Sequence, residues 1–367
     1  MLIGVDASRA ARTERTGTEA YSLHLIRAML DAAPRHRFRL YTDRRLPGEL
    51  DAPNAEPRVI PFPRLWTHVR LSAEMLRRAP DALFVPAHVV PLAHPRAVVT
   101  VHDLGYLYFP QAHPPLARLY LDLSTRWNVR AAAHVIADSH ATQDDLVRRY
   151  AAWPDKISVA YPGRDESLRR VDDAAAIETV KRRYGIAGEY LLYLGTLQPR
   201  KNLARLITAF SALRPAPSNL QLVIAGAKGW LYGDIFSQAK QLELQDRVLF
   251  PGRIADEDKA ALISGAVALV FPSLYEGFGL PVVEAMQCGT PVICSNTSSL
   301  PEVAGDAALQ VDPLDIDALA HAMRQLLDDA ALRRALVERG YAQAARFSWA
   351  ACAARVLSAI ESVTPHR

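Results

Sequence analysis

Short apolar runs alternate with amphipathic helical segments along the chain, and this alternation restricts the fold more than any other feature. Residues 2–6 are typical of a strand, and residues 18–33 that follow carry apolar side chains at the spacing of one helical face. Strands that alternate with helices form parallel sheets with helices on both faces. Further strands before residue 165 are predicted at residues 38–42, 59–62, 82–86, 97–102 and 134–138.

The alternation starts again after a polar stretch at residues 164–176. Helices are predicted at residues 202–213 and 232–244, and the chain is helical from residue 316 to about 363. Strands are predicted at residues 190–194, 220–225, 248–251, 268–272, 292–294 and 308–311. The chain is therefore predicted to be an α/β protein with two doubly wound, Rossmann-like domains that face a cleft.

Composition excludes several other classes of protein. Of the 367 residues, 50% are hydrophobic and 22% are charged, which argues against disordered and fibrous chains. No run approaches the ~20 apolar residues of a membrane span, and we expect no signal peptide. Cys288, Cys294 and Cys352 are odd in number and lack metal-ligand spacing. We interpret them as reduced thiols of a cytoplasmic protein.

Positive charge is concentrated in the first half of the chain. Residues 1–165 contain 22 Lys and Arg against 17 Asp and Glu, and the remainder contains 21 against 22. Two interpretations stay open: a general richness in Ala and Arg, or a basic face toward an anionic acceptor or a membrane surface. Because no helix-turn-helix, zinc finger or RNP motif occurs, we expect no nucleic-acid partner.

One motif places two cations at a strand-to-helix turn. The strand at residues 190–194 ends in Gly195, and we expect Asn202 to cap the next helix. Arg200 and Lys201 then lie at a helix N-terminus, where backbone N–H groups and the helix dipole already favour an anion. A solvated basic turn is the alternative, but the position of the two cations favours a diphosphate site.

A second motif, at residues 275–285, places two carboxylates around a glycine turn. Gly277 and Gly279 permit close approach of backbone N–H groups to a ligand. Glu276 precedes this turn, and Glu284 is expected in the first turn of the helix that follows it. The alternative is that Glu276 is a surface residue and that Glu284 interacts only with the dipole of its own helix.

These two motifs closely resemble those of the retaining nucleotide-sugar glycosyltransferases of family four, which have the GT-B fold. The resemblance rests on E-G-F-G-L-P-V-V-E at residues 276–284, downstream of G-T-x-x-P-R-K-N at residues 195–202. It covers nearly the whole chain and, at residues 229–232, is closest to mannosyltransferase-type members. Other matching segments are residues 15–18, 101–103, 135–139, 222–226, 248–252 and 347–349.

The resemblance implies an activity and a domain organisation. Such an enzyme moves a hexose from a nucleoside diphosphate sugar to a hydroxyl of a glycan or lipid-linked acceptor, with retention of configuration and without a metal or other cofactor. Residues 1–168 would bind the acceptor, residues 169–345 would bind the nucleotide sugar, and residues 346–367 would form a helix that packs back on the first domain. The base, the sugar, the linkage, the oligomeric state and any peripheral membrane contact stay open.

The resemblance also assigns a role to individual residues. Arg200 and Lys201 would neutralise the diphosphate, Glu284 would hold the ribose, and Ile254 would face the nucleobase. Thr196 stands where some relatives carry an Arg, so the phosphate site depends on the two later cations. The catalytic candidates are His102, Asp103 and Glu276, and the donor-binding candidates are Gly17, Thr18, Arg200, Lys201, Ile254, Gly277, Phe278, Gly279, Leu280 and Glu284.

Other activities have weaker support. Residues 256–258 and 315–317 match an Asp-x-Asp metal motif, but acids in a first helical turn are expected without a metal. We therefore predict no metal site. No Gly-x-Gly-x-x-Gly follows a strand, which argues against a dehydrogenase. Two alternatives stay open: a GT-B-shaped sugar-nucleotide epimerase and a non-catalytic sugar-nucleotide-binding protein.

Overall fold

The computed structural model describes residues 1–13, 17–62, 64–87, 89–213 and 219–364. The chain divides into two compact units. The first unit comprises Met1–Leu107, His113–Gly163 and Phe347–Arg367, and the second comprises Tyr108–Ala112 and Arg164–Arg346.

The described residues form thirteen strands, most of them buried on both faces of a sheet, as parallel strands usually are. In chain order they are β1 (Leu2–Asp6), β2 (Arg37–Thr42), β3 (Ala55–Val59), β4 (Ala82–Val85), β5 (Arg96–Val101), β6 (His134–Ala137), β7 (Ile157–Val159), β8 (Tyr190–Leu194), β9 (Gln221–Ala225), β10 (Val248–Gly252), β11 (Ala268–Phe271), β12 (Val292–Ser295) and β13 (Ala308–Val311).

The α-helices cover both units. In chain order they are α1 (Gly17–Ala32), α2 (Ser72–Arg78), α3 (Gly105–Tyr108), α4 (Pro115–Ala131), α5 (His140–Tyr150), α6 (Ala174–Arg183), α7 (Leu203–Ser211), α8 (Gly233–Gln241), α9 (Asp256–Ser264), α10 (Leu280–Gln287), α11 (Leu300–Ala304), α12 (Ile316–Asp328), α13 (Ala330–Ala345) and α14 (Trp349–Val363). The helical C-terminal region is thus three helices. Asp329 begins the second of them and Ser348 the third, each accepting a backbone N–H at the helix start.

The sheet of the first unit has the order β3-β2-β1-β4-β5-β6-β7, and its strands pair in parallel. The order reverses between β1 and β4. Helix α14 packs on α1, where Val356 and Ile360 join the same buried cluster as Ile26 and Met29. The backbone of Gly163 packs closely against the start of α14, because a side chain on Gly163 would overlap the backbone of Trp349.

The sheet of the second unit has the order β10-β9-β8-β11-β12-β13, again with parallel pairing. Here the order reverses between β8 and β11. Two parallel sheets with reversing strand order confirm the predicted α/β class with two doubly wound domains. Ligands of such sheets bind outside the carboxyl ends of the strands where the order reverses. A ligand site of this unit is therefore expected at the loops after β8 and β11.

Two sequence predictions differ from the structure at the strands. A strand was predicted at residues 59–62, but β3 ends at Val59. It is an edge strand paired only with β2 among the described strands, and its side chains are half-buried or exposed. Pro57 is tolerated at such an edge, and Pro61 lacks the N–H that would extend the pairing. The short strand β7 was not predicted. Within the described ranges, no helix is both long and apolar enough to cross a membrane.

Candidate functional site

The two loops that carry the sequence motifs lie side by side in the second unit. Strands β8 and β11 are hydrogen-bonded neighbours, so the loops that follow them leave the same edge of the sheet. The backbone N–H of Leu274 donates to the carbonyl oxygen of Arg200 at 2.8 Å, which joins the loops directly. The two motifs therefore lie in strand-to-helix loops, as the sequence predicts, and the structure places these loops at the reversal of strand order.

The side chains of Glu276, Arg200 and Lys201 form one buried group, which we call the Glu276 cluster. Lys201 donates from Nζ to Oε1 of Glu276. Arg200 donates from Nη1 to Oε2 of Glu276 at 3.3 Å and to the carbonyl oxygen of Tyr275 at 3.0 Å. The three side chains are between 8% and 19% exposed. Two cations thus share one carboxylate, which leaves the cluster with a net positive charge.

The cluster controls the ionisation of its carboxylate. Burial by itself would raise the pKa of Glu276, but the charges of Lys201 and Arg200 outweigh burial and lower that pKa below its ordinary value of 4.5. Glu276 is therefore ionised at neutral pH. A carboxylate with a lowered pKa is a weak proton acceptor, which matters for its chemical role.

The glycine turn after Glu276 is anchored by two serines. The N–H of Glu276 donates to Oγ of Ser298 at 2.9 Å, and Oγ of Ser299 donates to the carbonyl oxygens of Glu276 and Phe278. Gly279 has a φ of 107°, which L-residues rarely adopt, and immediately precedes α10. The turn at residues 276–279 therefore has a fixed shape, with Gly277 within it and Leu280 as the first residue of the helix.

Glu284 lies apart from the Glu276 cluster, on α10. It is the fifth residue of that helix, and not in the first turn as predicted, because the helix begins at Leu280. Its Oε1 accepts a hydrogen bond from Nζ of Lys259 on α9 at 2.6 Å. Burial would lower the pKa of Lys259, but the neighbouring Glu284 carboxylate outweighs it and raises that pKa. Sequence reasoning did not find Lys259.

The prediction that the side chain of Asn202 caps α7 is wrong. Its backbone has a φ of 60° and its side chain makes no capping bond. The amide nitrogen instead donates to the carbonyl oxygens of Pro272 and Pro313, and its oxygen accepts from Nη1 of Arg205. The left-handed backbone turns the side chain toward the loop after β11, so Asn202 fastens the two motif loops together.

The remaining donor-binding candidates lie on other elements of the two units. Gly17 and Thr18 begin α1 in the first unit, and Arg15 and Thr16 of the same motif lie outside the described residues. Ile254 is half-buried in the loop after β10 in the second unit. The described residues include no group of three or more His, Cys, Asp or Glu side chains arranged to hold a metal ion.

In the first unit, His102 follows β5 and pairs with Asp138 rather than with its sequence neighbour. Nδ1 of His102 is 2.7 Å from Oδ2 of Asp138, which follows β6. Asp103 instead accepts the N–H of Gly105 at the start of α3. Burial lowers the pKa of His102, but the charge and hydrogen bond of Asp138 outweigh it and the net shift is upward. Burial raises the pKa of Asp138, partly offset by His102.

Sequence reasoning missed Asp138 as a partner, although a signal was present. Strands β5 and β6 were both predicted, and the carboxyl ends of neighbouring parallel strands meet at one edge of a sheet. Val101 is paired with Ala137, so the residues after them are brought together. The missing information was the strand order, which places β5 beside β6.

Two family descriptions match most of the chain. Residues 177–343 match Glycosyl transferases group 1, and residues 15–168 match Glycosyltransferase Family 4. The matched ranges include the Glu276 cluster, Glu284, His102 and Asp138.

Individual proteins match as well. The O-antigen chain mannosyltransferase B of Escherichia coli is 33% identical over 296 residues, covering 80% of this chain and 77% of that protein. The serotype-specific mannosyltransferase WbdA of Escherichia coli is 32% identical over 276 residues; the match covers 72% of this chain and 33% of WbdA. The chain thus spans about a third of the length of WbdA. Among solved structures, HepE of Anabaena in complex with UDP and glucose has a TM-score of 0.75 at 19% identity, covering 99% of both chains, which establishes a shared fold.

Proposed function

Because the chain belongs to the group 1 glycosyltransferases, it transfers a hexose from a nucleotide sugar, and we propose that the hexose is mannose, that its configuration is retained and that no metal ion is required. The acceptor in this proposal is a hydroxyl of a growing glycan. Mannose is supported by the two mannosyltransferases of Escherichia coli that match the chain. A nucleoside diphosphate is supported by the UDP complex of HepE.

The observation that carries the proposal is the Glu276 cluster at the reversal of strand order. A diphosphate needs positive charge at the point where the glycosidic bond breaks, since negative charge develops on the leaving group. Arg200 and Lys201 supply that charge in a site largely closed to water, where electrostatic interactions are stronger than in bulk solvent. With these two cations in place, charge compensation of the donor does not depend on a metal.

The ionisation of Glu276 argues against its use as a protein base, which agrees with the proposed front-face reaction. Because Lys201 and Arg200 lower its pKa, Glu276 is a poor acceptor for the proton of the incoming hydroxyl. The departing diphosphate, which gains charge as it leaves, takes that proton. Glu276 then has two remaining roles: to hold the two cations in place and to contact the transferred sugar as positive charge develops at its anomeric carbon.

Glu284 is proposed to hold the ribose hydroxyls of the donor. A carboxylate is acceptor-only and binds a pair of hydroxyl donors well. The ion pair with Lys259 fixes the position of the Glu284 side chain on α10. Because ribose is present in both the donor and the nucleoside diphosphate product, loss of this contact should weaken the binding of both equally.

The first test is a donor panel followed by product analysis. A thermal-shift screen of GDP-, UDP- and ADP-sugars should identify one donor that raises the melting temperature, since a ligand that binds only the folded state stabilises it. NMR of the product should then show the same anomeric configuration as the donor. A donor hydrolysed or epimerised without transfer to any acceptor would contradict the proposed transferase, and an inverted product would contradict the retaining reaction.

The role of the Glu276 cluster in diphosphate binding can be tested against a matched control variant in the same unit. Lys201→Ala should weaken binding of the bare nucleoside diphosphate by about 1.5–3 kcal/mol, the scale of a charge-assisted hydrogen bond. Lys240, on α8, is exposed and also in the second unit. Lys240→Ala should leave that affinity unchanged. Equal diphosphate affinity in the two folded variants, measured by calorimetry, would exclude Lys201 from the donor site.

We also propose that the first unit contacts an anionic membrane surface through α4. Leu116, Leu119, Tyr120 and Leu123 are 51–81% exposed and recur at the spacing of one helical face. Tyr120 reaches the neighbouring π-helix Trp66–Leu71 through a hydrogen bond between its hydroxyl and Nε2 of His68, at 3.0 Å. The exposed apolar surface thus continues onto that helix at Val69, and exposed Leu65 directly precedes it.

Charge favours lipid over a second copy of the chain as the occupant. Arg118 lies on α4, Arg64 precedes the π-helix, and both are exposed, whereas Asp122 of α4 is paired with Arg126 at 2.8 Å. A symmetric contact between two copies would place the same cations on both sides of one interface. An anionic headgroup layer complements both the apolar side chains and the cations.

Vesicle sedimentation tests this contact. The protein should bind phosphatidylglycerol-containing vesicles and not neutral phosphatidylcholine vesicles, and Leu119→Ser with Leu123→Ser should reduce binding several-fold. Leu231→Ser with Leu314→Ser removes two leucines of similar exposure from the second unit and should have no effect. Equal binding of the two double variants, or a change of oligomeric state only in the first, would overturn the membrane assignment.

A further inference from the structure

His102 and Asp138 lie side by side at the carboxyl edge of the first sheet. Val101 of β5 is paired with Ala137 of β6, so the next residue of each strand leaves the sheet at the same level. Nδ1 of His102 is 2.7 Å from Oδ2 of Asp138. The Asp138 side chain is 7% exposed, so water does not compete effectively for this bond.

The partner of Nδ1 indicates which ring nitrogen carries the hydrogen. When Asp138 is ionised, its carboxylate can only accept hydrogen bonds, so Nδ1 of His102 is then the donor. Tyr21 of α1 packs against the ring edge-to-face, with centroids 4.6 Å apart, and restricts its rotation. Nε2 is buried and, within the part of the chain that the structure describes, meets no atom at hydrogen-bond distance and angle, although the backbone of Pro86 lies near enough to add to the upward shift of the His102 pKa. A buried polar atom without a partner is costly unless a ligand satisfies it.

We propose that Asp138 is the positioning residue of His102 in the transfer reaction: it holds Nδ1–H and thereby directs Nε2 toward a hydroxyl of the sugar substrate. This inference rests on the proposed function. A sugar hydroxyl is the matching chemistry, because it can donate to Nε2 of the neutral ring or accept from Nε2–H of the charged one. Asp138 itself touches no substrate and acts only through His102.

Three other ionisable groups face the pair. Asp103 lies on the same loop as His102, Tyr21 is on α1, and Cys352 is on α14. Asp103 adds to the upward shift of the His102 pKa, but its carboxylate is hydrogen-bonded to the N–H of Gly105. Asp138 is the carboxylate that is hydrogen-bonded to the ring. Removing its charge should therefore lower the apparent pKa in the pH profile of kcat. Loss of packing alone would not shift that pKa.

The variant Asp138→Asn keeps the size of the side chain and removes its preference for a hydrogen on Nδ1 of His102. The amide can accept from Nδ1–H or donate to an unprotonated Nδ1, so both neutral forms of the ring become populated. We expect kcat to fall between about 10- and 100-fold while the donor KM changes little, the scale of a misplaced catalytic group. Asp145→Asn is the matched control, since Asp145 is equally buried on α5 and its carboxylate pairs with Arg148.

A double-mutant cycle separates positioning from structural support. In a His102→Gln background, Asp138→Asn should lower kcat less than twofold further, because no ring remains to be positioned. A purely structural role would give the same loss in both backgrounds. Equal loss of kcat in both backgrounds, or full kcat in Asp138→Asn, would overturn the inference.

Nitrogen-15 NMR of histidine-labelled wild-type protein supplies a readout independent of activity, with His102 assigned from the His102→Gln spectrum. Above the pKa of His102, Nδ1 should carry the hydrogen and Nε2 should be unprotonated; hydrogen on Nε2 would overturn the inference. If the wild-type protein transfers no sugar, the proposed function is wrong, and the spectrum alone decides whether Asp138 fixes the ring. If Asp138→Asn does not fold, the wild-type spectrum still decides whether Asp138 fixes the ring of His102.

Discussion

The substitution Lys201→Met tests how far the buried carboxylate of Glu276 depends on its cations. Nη1 of Arg200 is 3.3 Å from Oε2 of Glu276. At that separation the Coulomb attraction in an effective dielectric of about 20 is roughly 5 kcal/mol, before desolvation is subtracted. Lys201 is more buried than Arg200 and contacts the other carboxylate oxygen. Its removal leaves a buried charge under-compensated, and we expect the free energy of unfolding to fall by about 3–5 kcal/mol.

Urea unfolding followed by circular dichroism measures this loss, with Lys240→Met as the control on an exposed helix position. Because the folded-state pKa of Glu276 is lowered, the stability it contributes is present above its ordinary pKa of 4.5 and is lost as the pH falls through the lowered value. The penalty of Lys201→Met should therefore shrink in acid. Adding Glu276→Gln should restore part of the stability at neutral pH. A loss below about 1 kcal/mol at neutral pH, unchanged in acid, would refute the reasoning.

Three further outcomes are expected. Turnover should survive exhaustive EDTA treatment, and activity restored only by Mg²⁺ or Mn²⁺ would contradict charge compensation by Arg200 and Lys201. Glu284→Ala should weaken the binding of both the sugar nucleotide and the bare diphosphate by about 1–3 kcal/mol in calorimetry. The control Glu338→Ala, at an exposed helix position, should leave the binding of both unchanged. Burial raises the pKa of Asp6 from 3.8 to about 6, so its ionisation costs stability as the pH rises through that range. Asp6→Asn should therefore be more stable than wild type by roughly 3 kcal/mol at about pH 8 and equal to it near pH 3, as judged by urea midpoints.

The strands could be predicted where burial on both faces forces an apolar run. Strand β8 has the predicted bounds, Tyr190–Leu194, and all five of its residues are buried. Strand β3 was misplaced because it lies at the edge of its sheet, where no apolar run is required and Pro57 is tolerated. Strand β7 is only three residues long, and one of them is Ser158. The errors therefore fall where burial is incomplete or the segment is short.

The positions of the site motifs could be predicted, but the pairing of their side chains could not. Both motifs were predicted in loops that follow parallel strands, and the family resemblance assigned Arg200, Lys201 and Glu276 to one donor site. Nothing in the spacing indicated that Lys201 would donate to Glu276 itself, or that Glu284 would pair with Lys259. Such pairings depend on strand order and on the rotamers of long side chains, neither of which has a local sequence signal.

The pairing within the Glu276 cluster has a consequence for donor binding. Free Lys and Arg side chains each lose up to about 2 kcal/mol of rotamer entropy when they are fixed. Glu276 already fixes Lys201 and Arg200, so in the proposed donor site a diphosphate would bind to cations that are ordered beforehand. The same carboxylate would repel the diphosphate, because both are anionic and would compete for the same two cations. Tight binding of the product would thereby be limited, which would favour its release, while the proposed sugar contact of Glu276 would be gained only with the intact donor.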